Sequence, residues 1–145
     1  MATVNTYLYF NGNCEEAFEF YKSVFNREFK FIGRYGDVPE VARQNFPNCK
    51  DEHIMHVGLP IGGETILMGA DSFDAIGQHD KAGKYFSLHV SADSKEEADG
   101  LFDSLSREGE IKLPISVQFW GSYYGICLDK FGIVWKISFS LEPAQ

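Results

Sequence analysis

Glu15-Glu16-Ala17-Phe18-Glu19-Phe20-Tyr21-Lys22-Ser23-Val24-Phe25 returns further along the chain as Glu96-Glu97-Ala98-Asp99-Gly100-Leu101-Phe102-Asp103-Ser104-Leu105-Ser106. In the first copy positions 14, 17, 18, 21, 24 and 25 are apolar, the spacing of one buried stripe on a helix. Ala98, Leu101, Phe102 and Leu105 repeat that stripe in the second. Asn13 with Glu16, and Ser94 with Glu97, have the spacing of a capping box. In such a box a side-chain oxygen accepts a first-turn N–H while the acidic residue reaches back to the start of the helix. Two similar helices are expected.

Each helix follows a strand-like run, Asn5 to Phe10 in one case and Tyr85 to Val90 in the other. After the first helix come Lys30 to Arg34, His53 to Leu59 and Glu64 to Met68, the last two joined by the hairpin signal Pro60-Ile61-Gly62-Gly63. After the second come Ser116 to Trp120, Gly125 to Leu128 and Val134 to Phe139, with Asp129-Lys130-Phe131-Gly132 as the turn before the last strand. Tyr35 to Glu52 is long and polar, contains Pro39 and Pro47 and has no clear period. It reads as an excursion from the first copy, either a lid or a surface decoration. The expected fold class is α+β, with two tandem βαβββ modules whose curved mixed sheets enclose a cleft. Residues 1–145 form one domain, with modules at 1–70 and 84–145 and a linker at 71–83.

Composition agrees with a folded chain. Apolar residues make up 44% and charged residues 23%, which excludes the pattern of a disordered segment. Thirteen Phe, seven Tyr and two Trp are many for 145 residues and point to a thick core or a ring-lined cavity. The formal charge is −8, with no cluster of Lys and Arg, which excludes nucleic acid and an anionic membrane surface as partners. No apolar stretch approaches a membrane span, and Met1 to Thr6 has no signal-peptide character. Cys14, Cys49 and Cys127 are widely spaced and odd in number, as expected of reduced thiols in a cytoplasmic protein.

Tyr7-Leu8-Tyr9-Phe10-Asn11-Gly12-Asn13-Cys14-Glu15-Glu16-Ala17 resembles the opening of the PhnB-like branch of the vicinal-oxygen-chelate (glyoxalase/bleomycin-resistance/dioxygenase) superfamily. Ile54-Met55-His56, Ile61-Gly62-Gly63 and Leu67-Met68-Gly69 are similar to that branch too. So is Phe119-Trp120-Gly121-Ser122-Tyr123-Tyr124-Gly125, continuing through Asp129-Lys130-Phe131-Gly132 to Trp135. The resemblance spans nearly the whole chain and implies a homodimer. It also implies that catalytic relatives hold one divalent metal through His, Glu or Gln on the first and last strands of each module. Such a metal acts as a Lewis acid on vicinal oxygens.

The residues here depart from that ligand set. Lys136 stands where many relatives carry the glutamate ligand, and a protonated ammonium has no lone pair. Leu67 matches it in module one and cannot ligate. Tyr85, Ser87 and His89 share a strand face, and of these only His89 is a good ligand type. His53 and His56 are three apart on a strand and point to opposite sides. No metal or other cofactor is therefore expected, except under an alternative with a displaced metal site.

The candidate ligand-binding residues are Tyr7, Tyr9, His56, Tyr85, Ser87, His89, Trp120 and Lys136. Each carries a plainer reading. His56 and His89 serve equally as hydrogen-bonded structural residues, Lys136 as a solvated cation, and Trp120 as packing for an inter-strand turn. If its face lines the cleft, Lys136 pairs with an anionic group. Gly77 to Lys84 is no phosphate loop, since a strand follows it where a helix is required. Some relatives bear the label of a demethylubiquinone methyltransferase, but no glycine-rich nucleoside-cofactor loop follows the first strand. The expected function is binding of a planar or cationic small molecule in an aromatic cleft, as bleomycin-resistance relatives do by sequestration. The alternative is a metal-dependent lyase, isomerase or dioxygenase, recruiting His89 with His56 or Glu64.

Overall fold

Strand and helix alternate in the structure in the order that the repeated stretch sets out. The computed structural model describes residues 4–44, 47–71 and 87–141. The chain divides into two compact units, Met1–His79 and Asp80–Gln145.

Unit 1 contains β1 (Thr6–Phe10), α1 (Cys14–Phe25), β2 (Phe31–Arg34), a 3₁₀ turn (Tyr35–Asp37), the single-turn α2 (Glu40–Arg43), β3 (Ile54–Gly62) and β4 (Thr65–Asp71). Its sheet has the order β1-β4-β3-β2, with β1 parallel to β4 and the other pairs antiparallel. Unit 2 contains β5 (Leu88–Ser91), α3 (Lys95–Ser106), β6 (Glu110–Val117), β7 (Ser122–Leu128) and β8 (Val134–Ser140). Its sheet repeats the arrangement as β5-β8-β7-β6, again with one parallel pair, β5 with β8. The fold is α+β, with two four-stranded mixed sheets.

Each helix buries its apolar stripe. Cys14, Ala17, Phe18 and Tyr21 of α1 are buried with Leu8, Val57, Leu59 and Leu67 of the sheet. Full burial of Phe18 or Tyr21 contributes roughly 1.5–3 kcal/mol of hydrophobic stabilisation each. Gly69 permits this approach, because a Cβ there would lie 2.6 Å from the Phe18 ring. In unit 2, Ala98, Phe102 and Leu105 of α3 are buried with Tyr123, Cys127, Trp135 and Ile137. Strand alternation then turns the intervening residues to the face opposite the helix.

The helix starts differ from the expected pair of capping boxes. Ser94 Oγ accepts the Glu97 N–H at 3.0 Å, and Glu97 Oε1 accepts the Asp93 N–H at 2.7 Å, so the box closes α3 with the glutamate reaching one residue further back. The Asn13 side chain makes no capping bond. Its place is taken by Asp71, 1% exposed, whose Oδ1 accepts the Gly12 and Cys14 N–H groups at 2.8 and 3.0 Å. Asp71 Oδ2 accepts the Ile54 N–H at 2.8 Å. A carboxylate at the positive end of a helix is favourable, and this one also satisfies a strand N–H that would otherwise lack a partner.

Strand limits shift where the local pattern is weak. β3 continues through the expected hairpin turn to Gly62, across a register shift between Pro60 and Gly62, and the turn falls at Gly63-Glu64, where Gly63 has φ 54°. β4 extends to Asp71, the residue expected to open the linker. The remainder of the expected linker, with Tyr85, lies outside the described residues. β6 starts at Glu110 and ends at Val117, whereas the sequence suggested a strand from Ser116 to Trp120. It is an edge strand with register shifts from Ile111 to Ser116, which accommodate Pro114 without a backbone N–H. Residues 118–121 form the turn into β7, with Gln118 N–H donating to the Ser122 carbonyl at 2.8 Å. Among the described residues no helix is long and apolar enough to cross a membrane.

Candidate functional site

Cross-strand register assembles an aromatic cluster in unit 1. Tyr7 pairs with Met68, Met68 with Gly58, and Gly58 with Phe31, so these residues share the sheet face opposite α1. Tyr9 and His56 lie two residues from members of that row and point the same way. Tyr7 Oη lies 3.1 Å from His56 Nδ1. The His56 ring is nearly parallel to the Phe31 ring, with centroids 4.2 Å apart, and to the Tyr7 ring at 6.0 Å. Tyr7 and Tyr9 approach to 5.2 Å, and Tyr9 is 41% exposed. Burial, with smaller contributions from Tyr9 and Cys14, raises the Tyr7 phenol above its ordinary value. A protonated phenol donates to Nδ1 when His56 is neutral with its proton on Nε2.

Phe31 was not among the candidates read from the sequence. Its ring covers Gly58, where a Cβ would lie 2.3 Å from the ring. The glycine two residues beyond His56 in a strand is the sequence signal that leaves room for such a ring.

Unit 2 carries a different set on its equivalent face. His89 and Lys136 are register partners on β5 and β8, and His89 Nε2 lies 2.8 Å from Ser138 Oγ. Trp135 and Ile137, on either side of Lys136, are buried toward α3. Tyr124 pairs with Ser138 across β7 and β8, and its ring meets Trp120 edge-on at 5.5 Å. Trp120 is 51% exposed. Ser87 lies just before β5 and is half-buried. Tyr123, on the helix side, donates its hydroxyl to Asp99, and that bond raises the phenol.

The other titratable candidates are held in structural roles. His53 precedes β3, and its Nδ1 accepts the Lys50 N–H at 2.9 Å, apart from the bonding of His56. Asp129 is buried, and its carboxylate accepts the Phe131 and Ile133 N–H groups and the Trp135 indole N–H, at 2.8, 3.0 and 2.8 Å. Cys14 and Cys127 are buried, and burial raises both thiols, Cys127 to about 11 with Asp129 adding to the effect. Neither is activated as a thiolate nucleophile. Among the described residues no three His, Cys, Asp or Glu side chains gather as a metal-ligand group. On these two sheet faces the donors poorly suit a divalent cation: each offers a single imidazole, and that of unit 2 is the register partner of the Lys136 ammonium.

Comparisons with known proteins agree with this architecture. Residues 2–138 match the model of the family described as 3-demethylubiquinone-9 3-methyltransferase. Protein YjdN from Escherichia coli (strain K12) is 29% identical over 149 residues, covering 98% of this chain and 99% of its own. The crystal structure of protein PA1353 from Pseudomonas aeruginosa has a TM-score of 0.80 at 30% identity, covering 98% of this chain and 100% of that one. The PhnB protein from Bacillus cereus has a TM-score of 0.77 at 27% identity, covering 96% and 100%. A glyoxylase/bleomycin resistance protein/dioxygenase domain from Frankia sp. EAN1pec shares the fold, with a TM-score of 0.69 at 11% identity over 99% of this chain and 95% of that one. The chain belongs to the PhnB-like family matched here, within the glyoxalase/bleomycin-resistance/dioxygenase fold.

Proposed function

We propose that the protein binds a planar small molecule through aromatic side chains on the sheet faces opposite its helices, without a metal. The observation that carries this reading is the stack of Phe31 on His56, flanked by Tyr7 and the partly exposed Tyr9. Offset and edge-to-face ring contacts contribute about 0.5–1.5 kcal/mol each beyond area burial, enough to select flat ligands. Metal-free binding is supported by the single imidazole on each of the two faces and by the ammonium beside His89. The methyl transfer named in the family's description is not part of this reading. The turn between β1 and α1 has one glycine, Gly12, whose N–H bonds Asp71 together with that of Cys14. The same reading has the protein act as a homodimer in the cytoplasm, with its three cysteines reduced.

The test is a titration of isotope-labelled protein with 2-naphthol, followed by amide NMR shifts, alongside elemental mass spectrometry after incubation with Zn, Ni, Mn and Fe(II). Shifts centred on Tyr7, Tyr9, Phe31 and His56, with affinity reduced about fivefold in His56→Ala, are expected. Absence of those shifts overturns the binding reading. Near-stoichiometric metal retention, lost in His89→Ala, overturns the metal-free part.

A further inference from the structure

β5, β7 and β8 contain no Asp or Glu in a chain that has 21, and their one Lys or Arg is Lys136. Among the described cations, Lys22, Arg34, Arg43, Arg107, Lys112 and Lys130 each have a carboxylate partner, and Arg27, Lys30, Lys50 and Lys95 are exposed. Lys136 is half-buried and has no ion pair or hydrogen bond among the described residues. Its neighbours on the same face are His89 across the parallel pair and Ser138 two residues along β8, themselves hydrogen-bonded at 2.8 Å. Directly opposed residues in a sheet lie about 5 Å apart, and successive residues on one face about 7 Å along the strand. Ammonium, imidazole and hydroxyl therefore rise from neighbouring positions on one face, within reach of a single anionic head group, and the ammonium supplies only donors. Beside that patch, Tyr124 is the cross-strand partner of Ser138 and carries the edge-on contact with exposed Trp120.

We infer that this face of unit 2 is a binding site for an aryl oxyanion, an aromatic ring bearing a carboxylate or a phosphate. Lys136, His89 and Ser138 take the anionic head, and Trp120 and Tyr124 contact the ring. The inference rests on the planar-ligand reading above and names a ligand class for it. Charge supplies the selectivity: a hydrogen bond to an ionised group is stronger than a neutral one, and among the described residues Lys136 and His89 have no carboxylate partner with which the ligand must compete.

Calorimetric titrations of the full chain with 2-naphthol, 2-naphthoate and 2-naphthyl phosphate test it. Binding of at least one of the two anions about tenfold tighter than naphthol is expected, with amide shifts at residues 89, 136 and 138. The tighter anion identifies the head group. Lys136→Gln abolishes the preference and the anion-induced shifts at residues 89 and 138, whereas Lys136→Arg retains both. Equal affinity for all three probes, or a preference that survives Lys136→Gln, overturns the oxyanion site while leaving the planar-ligand reading standing. Anion binding with no naphthol binding does the reverse. Failure of all three probes to bind overturns both.

Discussion

α1 and α3 begin at matching points of the repeat and are closed by different chemistry. α3 uses neighbours in sequence, Ser94 and Glu97, so its cap is local. α1 uses Asp71, 57 residues beyond the Cys14 N–H that it accepts, and the same carboxylate holds the start of β3. The local cap closes its helix alone, whereas the remote one ties three segments of the sheet and helix together. Loss of either should therefore register on very different scales.

The largest effect is expected for Asp71→Ala, which leaves the Gly12, Cys14 and Ile54 N–H groups without their acceptor. A loss of about 4 kcal/mol is expected in urea unfolding followed by circular dichroism. A loss below about 1 kcal/mol would break the contrast with α3. Ser94→Ala should cost about 1 kcal/mol. Asn13→Ala, at the matching position, should change stability by no more than about 0.5 kcal/mol, because its side chain makes no capping bond. Equal losses at the two positions would show that the Asp71 cap does not replace the side chain.

A smaller difference separates the glutamates in the first turns. Glu15 is held below its ordinary value of 4.5 chiefly by the hydrogen bond from Arg34, with burial opposing and the Arg34 charge assisting. A lowered carboxylate value contributes stability that is present above the unfolded value and is lost as pH falls through the folded one. Wild-type stability should thus decline below about pH 4.5 more than that of Arg34→Gln. Both side chains are more than a third exposed, so the difference should stay under about 1 kcal/mol. Parallel declines would remove the pair as a stabilising element.

The faces opposite the helices diverge in the same way. Tyr7 of β1 bonds His56 of β3, whereas His89 of β5 bonds Ser138 of β8, so the two units tie their histidines across different strand pairs of the repeat. Unit 1 surrounds its imidazole with rings, and unit 2 sets an ammonium beside it. Tyr7, Tyr9, His56, His89 and Lys136 were legible as candidates because side chains alternate along a strand, and Trp120 because a large ring sits beside a turn glycine. Phe31 was not, since its role appears only when β2 is placed against Gly58. Ser138 was not among the candidates either, since its bond to His89 appears only with the pairing of β5 and β8.

By itself the sequence determined two helices with one apolar stripe each, most of the strands around them and which residues share a face along a strand. Those properties follow periods of 3.6 and 2 residues and are set by neighbours within a few positions. Only the tertiary structure decided that a carboxylate at the end of β4 would start α1, and that β6 would be an irregular edge strand reaching back to Glu110. It also decided which rings and donors would meet across each sheet. Such contacts depend on strand order and register between distant residues, which no local pattern encodes.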